Sequence, residues 1–466
     1  MYQQYLKYIN SRLKDNYDLT FRLLELEFGK VQVVFIKSIC DVEMISKHII
    51  TPLLHKKVNS RDIDFYKSEV ITQNNVEDVV NEEDAVKQLL SGYAIVVFEF
   101  INDVICCDVK KIPARNIEIP PTEAVLKGPR EGFTESIDIN VALIRKRLKD
   151  KDLKCEKVII GEKADFFVVI VYIKGIAQET LVTYIKSEIK KVKVGFIIEG
   201  NYISEQLQTR SSIFDTTGFT EKPDVLVSKL TEGRVGIFVQ GDPSVITAPF
   251  FFIENFQSPN DYSINIYAGN YVRILRWVAF ALSLLLPPLY IALATHHFSL
   301  IPRMLAFRLA ISRAGVPFPT FIEVILLMFF FQLLREAGLR LPQPIGQSIS
   351  IVGALILGDV AVASGLASTI TVLVVSLASI STFLIPNMAI AIVVWVDVLI
   401  LTTAWLGLPG FFIGFAFFCS HLAGITSCGY PYLFPLGTLS KYKNKDNVMT
   451  GFLKNVSNSS LTKDEE

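Results

Sequence analysis

Residues 274–295 read ILRWVAFALSLLLPPLYIALAT, an apolar run of spanning length with Arg273 and Arg276 at its leading edge. It matches the ~20 residues that a transmembrane helix needs. Long cationic side chains at the start of such a run snorkel to lipid headgroups, so the stretch reads as a first transmembrane helix. Pro287 and Pro288 inside it predict a kink whose freed carbonyls neighbouring helices must satisfy. The whole chain agrees: a mean hydropathy of +0.40 with only 20% charged residues is too apolar for a soluble protein of 466 residues.

Upstream of that run the pattern alternates between short β-branched segments and charged helical ones, the signature of soluble α/β structure. Strands are expected at Val31–Ile36, Tyr93–Phe100, Lys157–Ile160, Phe166–Ile173, Val194–Ile198 and Val235–Val239, with a helix at Gln178–Lys191. Pro113, Pro120, Pro121 and Pro129 make residues 112–129 a linker, which divides this half into two subdomains, 1–115 and 116–256. No cleavable export signal stands at the N-terminus, and this half is expected in the cytoplasm.

Downstream, an all-α polytopic transmembrane bundle is expected over 257–436. Phe321–Leu334 offers only about 14 apolar residues, short for a span. Further spans are expected near Ile345–Gly365, Ala367–Ile385, Met388–Leu406 and Pro409–Thr426. The polar tail, 437–466, carries Lys441, Lys443, Lys445 and Lys454, and the positive-inside rule places it in the cytoplasm. Arg303, Arg308 and Arg313, after the first span, run against that rule.

Composition and motifs exclude several function classes. A net charge of zero and a pI near 7.0 give no basic field for nucleic acid. Cys40, Cys106, Cys107, Cys155, Cys419 and Cys428 are scattered without metal spacing and read as free thiols. No phosphate loop, nucleophile elbow or zinc-protease motif is present, so neither an enzyme, a cofactor nor a metal is expected.

The most informative stretch follows Ile345. Gly346, Ser350, Ala354, Gly358, Ala361, Gly365 and Ser368 recur at steps of three and four, lining one face of a helix with small residues. In lipid such a face packs helix backbones closely, or lines a path between copies of the subunit. Asp359 lies one residue off the stripe, where an ionised carboxylate within a span is a functional candidate. Asp397 is a second intramembrane carboxylate, and His421 is expected to pair with one of them or to hydrogen-bond in packing.

Taken in order, the motifs resemble the A subunits of the GerA-type spore germinant receptors. The matching pieces are GPREGFTE (128–135), NVALIRKR (140–147), EKPD (221–224), EGRV (232–235) and GDP (241–243). DY (261–262), GVPFP (315–319), REAGLRLP (335–342), IVG (351–353) and SCGYPY (427–432) continue the series. The chain departs from the family pattern in having Lys222 before Pro223-Asp224, and Val394-Trp-Val-Asp397 where the family carries a basic patch. The resemblance implies a receptor subunit in the inner membrane of a spore, working with a transporter-like B subunit and a lipoprotein C subunit. It also implies oligomerisation into an ion channel that releases cations. A secondary transporter and a non-conducting scaffold are the alternatives; no inverted repeat supports the first.

Overall fold

The computed structural model describes residues 2–55, 61–111, 123, 127–160, 166–192, 195, 199–209, 212–341, 353, 358–436 and 446–451. The sheet-rich N-terminal half contains two five-stranded antiparallel sheets. The first has the order β1-β2-β4-β5-β3, from Leu19–Leu26, Gly29–Ile36, Val76–Asp78, Tyr93–Phe98 and Val104–Asp108 in chain order. The second has the order β6-β7-β9-β10-β8, from Leu153–Ile160, Phe166–Ile173, Gly218–Thr220, Val235–Val239 and Val245–Ala248.

These two orders are the same, and so is the placing of the helices around them. In the first lobe helix α1 (Tyr2–Leu13) precedes the sheet, helical turns over Val42–His55 and Ile63–Val70 separate β2 from β3, and α2 (Glu82–Leu90) follows β3. In the second lobe α3 (Ile137–Arg147), α4 (Glu179–Lys191) with α5 (Asn201–Leu207), and α6 (Pro223–Thr231) hold the corresponding places. The half is one supersecondary plan used twice.

Both sheets are covered on both faces, so central strands such as Tyr93–Phe98, Phe166–Ile173 and Val235–Val239 are apolar nearly throughout. Period-two alternation sends Val34 and Ile36 to the face under α1 and α2, and Val33 and Phe35 to the opposite face under Ile45, Ile49 and Tyr66. Cys106 and Cys107 separate onto opposite faces in the same way. The expected strand Val194–Ile198 and most of the linker 112–129 lie outside the described residues.

The lobes meet where the turn after α1 grips α3 and β6. The backbone N–H of Tyr17 donates to the Cys155 carbonyl (3.0 Å), Asn16 Oδ1 accepts from the Cys155 N–H (3.1 Å), and Lys154 Nζ donates to the Arg12 carbonyl (2.7 Å). At the centre Arg145 and Asp18 form an ion pair with side chains only 2% and 1% exposed.

The helical half begins with α7 (Ile266–Ile291), with Pro287 and Pro288 inside it, and continues through α8 (Arg303–Arg313), α9 (Thr320–Arg340), α10 (Thr369–Thr382), α11 (Ala389–Leu406) and α12 (Leu408–Gly424). Helix α7 packs on α10 and α11, α9 on α10, and α11 on α12, around a core that includes Leu284, Val324, Val375, Val396 and Phe418. Among the described residues two helices, Ile266–His296 and Pro386–Leu406, are long and apolar enough to cross a membrane. The segment read as a 14-residue apolar run belongs to α9, whose polar end carries it on to Arg340.

Candidate functional site

Of the small-residue stripe, Gly346, Ser350 and Ala354 lie outside the described residues. Gly358, Asp359 and Ala361 fall within a helical stretch over 358–363, with Ala361 buried and Asp359 exposed. Among the described residues a Cβ placed on Gly358 would meet only Val372 Cγ1, at an ordinary 3.6 Å. The stripe does not continue to Ser368 on one helix. The chain turns at Ser364 and Gly365, where φ is +68°, a conformation that favours glycine. Ser368 instead caps the next helix, its hydroxyl accepting from the Thr371 N–H at 3.2 Å. A three-and-four spacing persists in sequence across a turn without remaining on one face.

Ser368 leads to a residue that sequence reasoning missed. Its N–H donates to Glu323 Oε2 (3.1 Å), which also accepts from Thr371 Oγ1 (2.9 Å), and Arg313 Nε lies 3.5 Å from Glu323 Oε1. Tyr290 and Thr371 share a further hydroxyl contact of 3.0 Å. Fully buried Glu323 therefore joins α8, α9 and α10, and Thr371 extends the group to α7. A carboxylate three residues into an apolar helix was the available signal.

The two arginines at the leading edge of the apolar run, Arg273 and Arg276 of α7, are held by carboxylates. Arg276 forks onto Asp261 with contacts of 2.7 and 2.9 Å, and fully buried Arg273 reaches Asp446 Oδ1 at 2.6 Å and Asp261 Oδ2 at 3.5 Å. Carboxylates balance the charge of both guanidiniums, which is how such charges are retained away from water, although among the described residues Arg273 keeps Nε and Nη2 buried without a hydrogen-bond partner. Tyr262 and Gln257 also bond Asp446, and Asn270 exchanges two hydrogen bonds with the Thr450 backbone, so the described piece of the tail is strapped across the start of α7.

Beside this strap the second lobe presents another buried charge group. Glu254 accepts from Arg234 Nη1 at 2.5 Å and from Lys229 Nζ at 3.1 Å, and the Phe251 N–H adds a bond of 2.6 Å. Burial raises the Glu254 carboxyl, but the Arg234 and Lys229 charges outweigh it and hold the group below its ordinary value. Between the two groups opens a cavity of about 370 Å³, whose walls include Asp224, Lys229, Glu254, Tyr262, Asn387 and Asp446. Lobe, helical half and tail all contribute to it.

The far end of the helical half returns to the same lobe. After α12 a short hairpin, Thr426–Ser427 with Tyr430–Pro431, inserts Cys428 into the core of the second lobe. Ser427 Oγ donates to the Thr216 carbonyl (2.6 Å) and accepts from the Phe250 N–H (2.9 Å). His421 Nε2 contacts Ser212 Oγ of the lobe at 3.2 Å, a packing role, while Asp397 is half-buried on α11.

The quoted motifs meet in space. Thr134 and Asn140 exchange backbone and side-chain bonds of 2.7 and 2.5 Å, and Glu131 pairs with Lys146 at 3.0 Å and Arg147 at 2.8 Å. The Phe133 N–H donates to the Glu221 carbonyl (2.7 Å), and the Gly241 N–H to that of Glu135 (3.2 Å). Four of the motif segments, 128–135, 140–147, 221–224 and 241–243, are thus stitched together in the second lobe.

Comparison with known proteins accounts for this shared architecture. The family model for the Bacillus/Clostridium GerA spore germination protein matches residues 7–459. Spore germination protein KA of Bacillus subtilis (strain 168) is 33% identical over 427 residues, covering 91% of this chain and 78% of the relative. The membrane protein YfkQ of the same organism is 34% identical over 436 residues, covering 92% and 85%. The crystal structure of the N-terminal domain of the A subunit of the Bacillus megaterium spore germinant receptor GerK3 is 27% identical, with a TM-score of 0.39, and covers 53% of this chain and 94% of that one. Matched along nearly its whole length, with a third of its residues shared with germination proteins, the chain belongs to the GerA spore germination protein family.

Proposed function

We propose that this chain is the A-type subunit of a nutrient-responsive germinant receptor, embedded in the spore inner membrane with both lobes on the cytoplasmic side. In this reading it oligomerises around a central path that conducts cations outward when nutrient is sensed, alongside a transporter-like B subunit and a lipoprotein C subunit. Family membership supports the receptor role. Two helices of spanning length, a bundle of further apolar helices and a relative described as a membrane protein support insertion in lipid. The tail strapped to the start of α7, beside the second lobe, supports placing tail and lobe on one side of the membrane.

The observation that carries the channel reading is the stretch 358–363. Asp359 is exposed, and among the described residues only Val372 lies near the space a side chain on Gly358 would enter. In this reading a neighbouring copy packs there, and a ring of carboxylates favours cations over anions. The test is ion flux into liposomes carrying wild type or Asp359→Asn, with the oligomeric state of each determined. Retained assembly with lost cation conductance or selectivity is the expected result. Equal flux and selectivity at equal assembly would remove Asp359 from the path, leaving the stripe to helix packing in a scaffold.

A further inference from the structure

The cavity at the junction of lobe, helices and tail has the size of a small-molecule site, whose usual range is about 300–1,000 Å³. Its charges are unequally satisfied. Glu254 is matched by Lys229 and Arg234, and Asp446 by Arg273. By contrast, among the described residues Glu123 accepts hydrogen bonds from neutral donors alone, the Thr220 hydroxyl at 2.8 Å and the Glu221 N–H at 3.0 Å, while the Lys229 charge acts on it without a direct ion pair. Burial pushes its carboxyl upward, against those two bonds.

Asp224 Oδ1 is shielded from solvent and accepts no hydrogen bond, although Oδ2 lies 3.4 Å from Lys222. Arg234, itself 8% exposed, likewise has a shielded Nε that donates to nothing. The walls therefore offer a carboxylate without an ion-pair partner, backed by a buried carboxylate oxygen and a buried guanidinium N–H whose hydrogen-bonding capacity is unused. Phe219, Phe250 and Tyr262 line the same space with rings, which attract organic cations as well as apolar groups. Among the described residues no three carboxylate, thiolate or imidazole side chains converge as metal ligands.

We propose that this cavity binds a small organic ammonium compound that also carries an oxygen acceptor. The ammonium is placed against Glu123 and Asp224, the acceptor toward Arg234 and the carbon skeleton on the rings. The site depends on the junction geometry and not on conduction, so it stands or falls separately from the channel reading.

The test titrates the purified full chain in detergent with phenylalaninol, which has a ring, an ammonium and a hydroxyl. Hydrocinnamate, with a similar ring and an anion instead, is the comparator. Calorimetry should show saturable phenylalaninol binding, weakened about tenfold or more by Glu123→Gln and by Asp224→Asn. Glu179→Gln, on the outer end of α4, should leave it unchanged. Both test substitutions are close to isosteric, and the melting temperature of each variant verifies its fold. Repeating the titration in nanodiscs with ethanolamine-headgroup lipid separates two sources of the same chemistry. Competition by that lipid identifies a headgroup as the occupant, and unchanged affinity identifies a free solute. The proposal is overturned by no saturable binding of phenylalaninol, by equal binding of hydrocinnamate, or by binding that both carboxylate substitutions leave intact.

Discussion

Arg145 presents Nε and Nη2 to the two oxygens of Asp18 at 2.9 and 2.8 Å, a two-point contact sealed between the lobes. Asn16 takes a further bond from Nη2 at 3.0 Å, and Ser38 donates to Asp18 Oδ2 at 2.5 Å. The planar guanidinium fork matches a carboxylate in this way, and a lysine would not. Arg145 belongs to one of the motifs that carry the family resemblance, so that motif serves the joint between lobes.

Removing one partner of this pair leaves the other charged and buried. Asp18→Ala should cost about 3–5 kcal/mol, measured as the unfolding free energy of the lobes in denaturant. The double substitution Asp18→Leu with Arg145→Met should cost less than either single change, because it removes both charges together. Additive single costs would show that the pair is not coupled.

Acid should weaken the junction through Glu254. Its folded value lies below the ordinary 4.5, so between the two values the unfolded chain binds more protons. The resulting stability is complete above the ordinary value and is lost as pH falls through the folded one. Glu254→Gln should lower stability at neutral pH by about 2–3 kcal/mol, the worth of bonds to charged groups, and flatten the acid limb of a melting-temperature profile. An unchanged acid limb would assign the loss of stability to other carboxylates.

Two glycines of the small-residue series should respond differently. Gly365→Ala meets a positive φ and the Gly315 carbonyl at 3.3 Å, so it should lower the stability of the single chain by about 1–2 kcal/mol. Gly358→Leu meets no close neighbour at its Cβ among the described residues and should alter single-chain stability by less than about 1 kcal/mol, while disrupting assembly. Native mass spectrometry beside thermal denaturation distinguishes the two. A fully assembled Gly358→Leu protein would place this face away from contacts between copies.

Ser427→Ala leaves the Phe250 N–H and the Thr216 carbonyl without their shared hydroxyl, at a cost of about 2 kcal/mol or more. The neighbouring Cys428 thiol reports the outcome, because burial pushes it up to about 12 and suppresses its reaction. In a Cys419→Ser background, Ser427→Ala should speed labelling of Cys428 by a thiol reagent several-fold. Unchanged labelling would mean that the hairpin holds without the serine.

Long elements were legible in the sequence because they repeat their pattern several times. Gly29–Ile36, Phe166–Ile173 and the helix Glu179–Lys191 each fill a full window of alternation or helical spacing. Val76–Asp78 and Gly218–Thr220 are too short to show a period, and they become strands because β5 and β10 offer them an open edge. The doubled plan of the lobes resides in strand order, which no local window displays. Glu323 escaped notice because an isolated acid at the start of an apolar run reads as a helix end. Its partners, Ser368 and Thr371, are distant in sequence.

The insertion of the Ser427 hairpin into the second lobe has a mechanical consequence. That lobe is fastened at one end to the first apolar helix, through the residues leading into α7, and at the other to the last, through the hairpin after α12. Lobe and helices consequently form a closed linkage instead of a bead on a string. Any tilt of the lobe must be taken up as relative displacement of α7 and α12, on either side of everything between them. Both attachments are bonded, by Arg276 to Asp261 and by Ser427 to Thr216, so a rotation outside the bundle is transmitted to the helices at two points.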